Sequence, residues 1–455
     1  MSTVISPQNS KGTPKSYRDR IVSSLYKQAE TIAGNVVIQK KQSVDWDKQL
    51  DDILTSRFWG YPVMLLLLGM ILWITISGAN YPTEVIASIL FGIETKLLVI
   101  FTAINAPEWL SGILVLGVYR TLAWVVSVML PPMAIFFPLF TLLEDSGYLP
   151  RVAFNLDYLF KKCGTHGKQA LTMCMGFGCN AAGVTSCRII DSPRERIIAT
   201  ITNNFVPCNG RFPTLIILAS IFMVGTALGP LGGMMSAFTL VGLVIVGIAV
   251  TLLVSYILSK TLLKGVPSKF TLELPPYRPP QVGRVIVNSI FDRTLFVLAR
   301  AAAIAAPAGM VVWLMANVQI GDATLLTAAA NFLDPFARNI GLDGFILMAF
   351  ILGLPANEIV VPILIMAYLS TGAMLELDSL QEMKNLLVDY GWTWLTALNM
   401  MLFSLLHYPC STTLITIFKE TKSIKWTFLS FLIPTIVAIT VTFVVAQTAY
   451  LMNWV

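Results

Sequence analysis

Long apolar runs separated by short polar connections organise this chain. The hydrocarbon core of a bilayer, about 30 Å thick, takes about 20 apolar residues in a helix. Runs near that length lie at residues 62–78, 112–143, 197–225, 233–263, 294–317, 344–369, 393–418 and 427–451. An amphipathic stretch at 85–104 carries Glu94 and Lys96 and is expected to lie in the membrane interface. A second amphipathic piece is expected at 324–338, and a helix at 148–160. Residues 170–188 are apolar but short, and rich in Gly and Cys. Residues 1–57 are polar and hold nine Lys/Arg. Over 17–39, Ile21, Leu25, Ala29 and Ile32 recur at helical spacing, so this arm reads as a cytoplasmic linker helix, with a disordered basic arm as the rival.

Composition agrees. The 455 residues are 56% hydrophobic and 12% charged, against about 25% charged in a soluble domain. Lipid must therefore cover much of the surface, and the fold class is an all-α polytopic membrane protein. No apolar run precedes residue 58, so no cleavable signal peptide is expected. Six Cys without a Cys-x-x-Cys pair argue against a disulfide framework. A net charge of +6 needs no nucleic acid, because cytoplasmic loops collect Lys and Arg.

The charge of the connections sets the orientation. Residues 1–57, 144–168, 188–196, 264–293 and 419–425 are basic; 79–111, 318–343 and 370–391 are acidic, the last holding Glu376, Asp378, Glu382 and Asp389 against Lys384. Basic inside and acidic outside puts the N-terminus in the cytoplasm and Val455 outside. Residues 344–369 then lie between two outside loops, and 170–187 between two inside loops. Each must enter and return on one side. The expectation is seven full spans and two re-entrant segments. Broken backbone at membrane depth is tolerated only inside protein or against a water-filled cavity.

The two halves echo each other. Arg120-Thr121-Leu122 pairs with Arg293-Thr294-Leu295, and Pro131-Pro132 with Pro307. Gly176–Asn180 pairs with Gly353–Asn357, and Pro207-Cys208 with Pro409-Cys410. The order is the same in both, and the topology inverts the second half. The organisation expected is an arm at 1–57, a first span and external interfacial segment at 58–111, a first gate repeat at 112–263, a cytoplasmic loop at 264–293 and a second gate repeat at 294–455. Gly/Pro-broken segments paired in inverted repeats point to a midplane site of a transporter.

Candidate chemistry lies at those breaks. Cys179 and Asn180 offer sulfur and an amide oxygen beside glycines that free the backbone, a mixed site for a borderline-soft divalent metal. Met173, Cys174 and Met175 are close in sequence. Cys208 and Cys410 each follow a proline, which leaves a carbonyl unpaired. The rival reading of each Cys is a small buried hydrophobe. Asn357 and Glu358 sit in the second break. A carboxyl group at membrane depth is a functional candidate or half of a structural pair, with Arg300 as the partner. Glu144 and Asp145 either receive a cation at the cytoplasmic mouth or cap the next helix. His407 and Cys410 are spaced to share a helix face, as in a metal site or a Cys–His nucleophile pair, but no third orienting group accompanies them and no enzymatic function is expected. No Gly-x-x-x-x-Gly-Lys-Ser/Thr occurs, so no GTP site is expected in this chain.

At these motifs the chain resembles the membrane domain of the FeoB family of bacterial ferrous-iron transporters. The resemblance rests on Leu143–Tyr148, Gly176–Asn180 with Arg188, Pro207-Cys208 with Arg211, Leu352–Glu358, Tyr408-Pro409-Cys410, Lys419-Glu420, Lys425-Trp426 and Thr55–Gly60. It runs from about residue 45 to the C-terminus. It implies Fe²⁺ as the transported substrate, uptake across the bacterial inner membrane, and Cys179, Cys208 and Cys410 as ion-handling residues, with no stably bound cofactor. Members of that family normally carry an N-terminal GTP-binding domain. The resemblance therefore implies a separately encoded GTPase docking on the arm, or transport without GTP, together with a small cytoplasmic accessory protein; self-association stays open. Ala181-Ala182 stands where the family usually has Val-Pro. A transporter of Mn²⁺ or another divalent metal, or a non-transporting gate-fold scaffold, are the alternatives.

Overall fold

The computed structural model describes residues 17–36, 46–56, 58–223, 229–265, 277, 281–321, 323–374 and 380–454. Residues 1–16 and 37–45 of the arm, residues 266–276 and 278–280 of the 264–293 loop, and Glu376 and Asp378 of the acidic loop lie outside the described residues, as does the Arg293 side chain. Residues 1–50 form one compact unit and 51–455 another. Within the first, α1 (Tyr17–Val36) is a helix close to the expected span.

The second unit is helical. α2 (Trp46–Leu54) contains the boundary between residues 50 and 51, and α3 (Gly60–Ala103) follows it in the chain. The interfacial segment expected at 85–104 is not separate, because α3 runs through Pro82 without breaking. A proline inside a helix costs about 3 kcal/mol, and the next helix, α4 (Glu108–Asp145), supports α3 by packing along it. Glu94 is buried there. It accepts from Arg120 Nε at 2.9 Å, and Arg120 Nη1 donates to the Met374 carbonyl at 3.1 Å. Pairing with Arg120 is what lets a carboxylate sit in the body of α3 rather than at its edge.

From α4 onward one sequence of elements occurs twice. In the first half, α4 is followed by the amphipathic α5 (Tyr148–Lys162), a hairpin of α6 (Lys168–Gly178) and α7 (Asn180–Ser186), a broken helix of α8 (Pro193–Thr202) and α9 (Phe212–Phe222), and the apolar α10 (Gly229–Lys260). The second half runs α11 (Val282–Asn317), amphipathic α12 (Leu325–Asn339), a hairpin of α13 (Gly344–Leu352) and α14 (Val360–Leu369), an additional helix α15 (Leu380–Asp389) without a counterpart in the first half, a broken helix of α16 (Trp394–Leu406) and α17 (Ser411–Thr421), and apolar α18 (Ile424–Leu451). Caps mark the starts: Thr324 accepts from the Thr327 amide at 3.2 Å, and Asp343 from the Ile346 amide at 2.7 Å, each satisfying an orphan donor.

The legs of each hairpin pack against one another, as re-entrant segments must. Legs of about ten residues reach about 15 Å, half the hydrocarbon core. Among the described residues six helices are long and apolar enough to cross a membrane, Trp394–Thr421 among them despite its break, and up to seven if Leu325–Asn339 and Gly344–Leu352, bent by 112°, count as one span. The span expected at 197–225 is interrupted in the same manner at 203–211, and its two pieces stand in the repeat where α16 and α17 stand. Counting α4, the α8–α9 element and α10 as three crossings inverts the second repeat. The two repeats cross most tightly between α4 and α11, where a Cβ on Gly309 would meet the Gly117 carbonyl at 2.3 Å.

Candidate functional site

Four chain breaks meet at the junction of the repeats. In the first hairpin a single residue leaves the helix: Cys179 has φ −156° and ψ 127°. Its counterpart in the second hairpin, Ala356, has φ −152° and ψ 119°. Each precedes an asparagine, Asn180 and Asn357. The broken spans come up to the hairpins from the side. The amide after Cys208, that of Asn209, donates to the Gly178 carbonyl at 3.4 Å; the amide after Cys410, that of Ser411, donates to the Leu354 carbonyl at 2.9 Å. Carbonyls released by the hairpin breaks are thus partly satisfied by the span breaks, as buried backbone requires.

A small cavity, ≈ 30 Å³, opens between these breaks. Cys179, Asn180, Cys208, Cys410, Asn357 and Glu358 all line it, with Met129, Met133, Thr412 and Thr413. That volume holds about two water molecules. Six of the expected site residues are therefore brought together from segments as distant as 179 and 410. Cys179, Cys208, Asn180, Asn357 and Glu358 are each at least nine-tenths buried. Glu358 Oε1 and Asn357 Oδ1 have no hydrogen-bond partner. Glu358 Oε2 lies against Gly210, where a Cβ would stand 2.7 Å from it. Among the described residues no three His, Cys, Asp or Glu side chains are grouped closely enough to hold a metal ion. The cavity is a lining of soft and oxygen donors, not a closed coordination shell.

The glycines of the first hairpin serve space. Gly176 and Gly183 are not among the positive-φ residues. Asn203 packs against both: a Cβ on Gly183 would lie 2.5 Å from Asn203 Nδ2, and one on Gly176 2.9 Å from Oδ1. Asn203 Nδ2 donates to the Asn180 carbonyl at 3.2 Å. The orientation that satisfies the Asn180 amide has its nitrogen donating to the carbonyls of Val206 and Gly176, both at 3.3 Å. Its oxygen is then free of those carbonyls.

Several expectations are corrected. Arg300 does not pair with Glu358; its Nη2 donates to Thr416 Oγ1 at 2.7 Å, because the α16–α17 break puts the start of α17 beside α11. His407 and Cys410 do not share a helix face. α16 ends at Leu406, His407 is extended with ψ 177°, and its Nδ1 stays within hydrogen-bond distance of the Phe403 and Ser404 carbonyls, 3.0 and 2.9 Å. Glu144 and Asp145 are exposed at the end of α4, about 18 Å along the helix from Met133. The N-cap position of α5 is held by Gly147, with φ 85°, and not by either acid. Asp145 instead borders a separate polar pocket with Thr141, Arg284 and Asn288. Met173 turns away from the central cavity into an apolar one.

Other residues went unnoticed as site elements. Met129 and Met133 line the cavity from α4, and their i, i+4 spacing beside Pro131-Pro132 was the available signal. Arg211 was legible only as part of a motif. It is fully buried. Its Nη1 donates to the carbonyls of Asn204 and Leu405, both at 2.8 Å, and its Nη2 to those of His407 and Tyr408, both at 3.1 Å. One guanidinium thus gathers carbonyls freed by both span breaks. Just beyond α7, Arg188 makes a two-pronged contact with Glu420 at 2.7 and 2.6 Å, a further tie between the repeats.

Comparison with known proteins places this geometry. A family model described as Gate, nucleoside recognition, matches residues 126–222 and 298–424, one stretch in each repeat, and one described as ferrous iron transport protein B C terminus matches 240–292. An Fe(2+) transporter FeoB of Staphylococcus aureus strain MSSA476 is 27% identical over 433 residues, covering 93% of this chain and 62% of that protein. One of Methanocaldococcus jannaschii is 26% identical over 440 residues, covering 94% and 62%. An Fe(2+) transport protein A/Fe(2+) transporter FeoB fusion protein of Porphyromonas gingivalis is 25% identical over 462 residues, covering 90% and 52%. The chain thus spans about 62% of the length of its staphylococcal and archaeal relatives. No solved structure matches it at a significant level.

Proposed function

The chain belongs to the FeoB family, and from that premise we propose that it is a ferrous-iron permease whose ion path passes through the cavity between the two repeats. The observation that carries this is the convergence of Cys179, Cys208 and Cys410 with Asn180, Asn357 and Glu358 on one cavity. Sulfur with amide and carboxylate oxygen suits a borderline-soft divalent ion, and the affinity order places Fe²⁺ above Mn²⁺ on such ligands. An incomplete shell suits transit, since a site must release its ion as well as bind it. Glu358 supplies the negative charge, and its unpaired Oε1 is available to the cation. Glu144 and Asp145 serve the cytoplasmic mouth, outside the selective part of the path.

Uptake would run inward across the bacterial inner membrane, with the N-terminus cytoplasmic and the C-terminus outside. A separately encoded GTPase would dock on the cytoplasmic arm. The fusion relative, whose name joins transport protein A to FeoB, supports a small cytoplasmic accessory partner as well.

The test is flux into liposomes. The purified chain is reconstituted around a metal-sensitive dye, and Fe²⁺ is added anaerobically with reductant, with Mn²⁺ in parallel. Fe²⁺ entry that exceeds Mn²⁺ entry, and that Cys179→Ser abolishes, is the expected result. Faster Mn²⁺ entry would reassign the substrate. Fe²⁺ entry unchanged in Cys179→Ser, Cys208→Ser and Cys410→Ser would remove the cysteines from the path.

A further inference from the structure

A second cavity, ≈ 280 Å³, lies behind the first hairpin. Leu68 and Ile71 of α3, Leu156 of α5, Ala170 and Met173 of α6 and Ile248 of α10 are among its walls. An engineered apolar cavity of about 150 Å³ takes up benzene; this one is nearly twice that size. An empty apolar space so large forfeits dispersion contacts over its whole lining, so an occupant of matching chemistry is favoured.

Two features identify that occupant. The first is its rim: Leu65 of α3 and Ile245 of α10 border the cavity and are 46% and 50% exposed. Both stand on helices long and apolar enough to span the membrane. An opening bordered by these two side chains faces hydrocarbon. The second is Tyr148, 8% exposed, which lines the cavity and whose hydroxyl has no hydrogen-bond partner. A buried unpaired hydroxyl costs about 1–3 kcal/mol and is satisfied by an acceptor brought by the ligand. Tyr148 lies three residues beyond Asp145, at the end of α4 where Glu144 and Asp145 are exposed.

We propose that this cavity binds one acyl chain of a glycerophospholipid from the leaflet at the Tyr148 end, with the Tyr148 hydroxyl donating to the lipid ester carbonyl. The chain lies against Ala170, Met173 and Cys174 of α6 and so supports the outer face of the hairpin whose break is Cys179. The inference is independent of which ion the protein carries.

Native mass spectrometry of the purified full chain in mild detergent, titrated with dioleoylphosphatidylglycerol and separately with oleate, tests it. Wild type is expected to retain one phospholipid through delipidation. Ala170→Phe and Leu68→Trp, which fill the cavity from different helices, are expected to lose it while melting no lower than delipidated wild type. Tyr148→Phe is expected to bind it about fivefold more weakly, the factor for one ordinary hydrogen bond. Equal lipid retention by wild type and both filled variants would overturn the site. Undiminished affinity in Tyr148→Phe would overturn the role of its hydroxyl. Preferential binding of oleate would reassign the source to free fatty acid. If the filled variants do not fold, the wild-type titration beside Tyr148→Phe still decides.

Discussion

Arg211 and Leu405 stand 194 residues apart in sequence, yet the guanidinium Nη1 of one donates to the carbonyl of the other at 2.8 Å. Arg211 is the last residue of the break in the first broken span, and Leu405 lies just before the break in the second. The same side chain also reaches Asn204, His407 and Tyr408. Helix breaks release carbonyls that lipid cannot satisfy. A planar fork with five donors is the one side chain able to gather four of them at once. The walls of the central cavity are held in place by this latch.

Arg211→Met is expected to lower unfolding stability by several kcal/mol, on the order of 4, because four buried carbonyls lose their donor at about 1–3 kcal/mol each before relaxation. Arg211→Lys should fall between, since an ammonium keeps the charge but presents three donors from a single point. Thermal unfolding in detergent checks the ranking. Equal stability of the methionine variant and wild type would mean the carbonyls find other donors.

Glu358→Gln keeps the shape of a side chain whose Oε1 makes no hydrogen bond, so folding should be unaffected. Removing the negative charge from the cavity is expected to slow Fe²⁺ entry at least about tenfold, the equivalent of ~1.4 kcal/mol. Initial rates in the liposome assay, beside the melting temperature, separate a transport effect from a folding one.

Gly183→Ala places a methyl group 2.5 Å from Asn203 Nδ2. Overpacking of this kind costs about 1–3 kcal/mol. Asn203→Ala in the same chain should recover part of that loss, giving a coupling of more than ~0.5 kcal/mol in a double-mutant cycle. Additive effects would show that the hairpin and the 203–211 segment move apart freely.

Asp51 carries the pH prediction. Outside the candidate spans, it accepts from Arg151 Nε at 2.9 Å and from the Tyr277 hydroxyl at 2.9 Å, and the Arg151 guanidinium lies 3.9 Å above the Tyr277 ring. The hydrogen bond from Arg151 holds the Asp51 carboxyl below its ordinary value. A carboxyl depressed on folding contributes stability that is complete above its unfolded pKa, about 3.9, and that is lost as the pH falls through its lower folded value. Asp51 is 31% exposed, so the contribution is below about 1 kcal/mol. Asp51→Asn should therefore melt slightly lower than wild type at about pH 7, with the difference closing towards about pH 3. A difference that persists at the acid end would assign it to packing.

Much of the site was legible because its residues are chemically out of place. A carboxyl such as Glu358, amides such as Asn180 and Asn357, and cysteines beside prolines stand out against apolar surroundings, and their recurrence in two halves tied them together. Glu144 and Asp145 stood out for the same reason and yet lie apart from the cavity, since a charge at a helix end needs no special function. Met129 and Met133 gave no comparable signal, because a thioether in an apolar helix looks like packing until its neighbours are known. The pairing of Glu358 with Arg300 failed because sequence cannot say which face of α11 meets which helix; Thr416 occupies that place.

The sequence by itself determined the solvent and the plan of the molecule. Twelve per cent charged residues cannot solvate a body of this size, and apolar length in a bilayer dictates where helices run and where Gly and Pro must break them. The tertiary structure alone decided that the extended residues Cys179 and Ala356 face one cavity, that Arg211 latches both broken spans, and that α3 continues past Pro82. Period and composition are local quantities, readable residue by residue. Which freed carbonyl meets which donor depends on contacts between segments some two hundred residues apart, where the demand that every buried polar group find a partner leaves few arrangements, and only the folded chain selects among them.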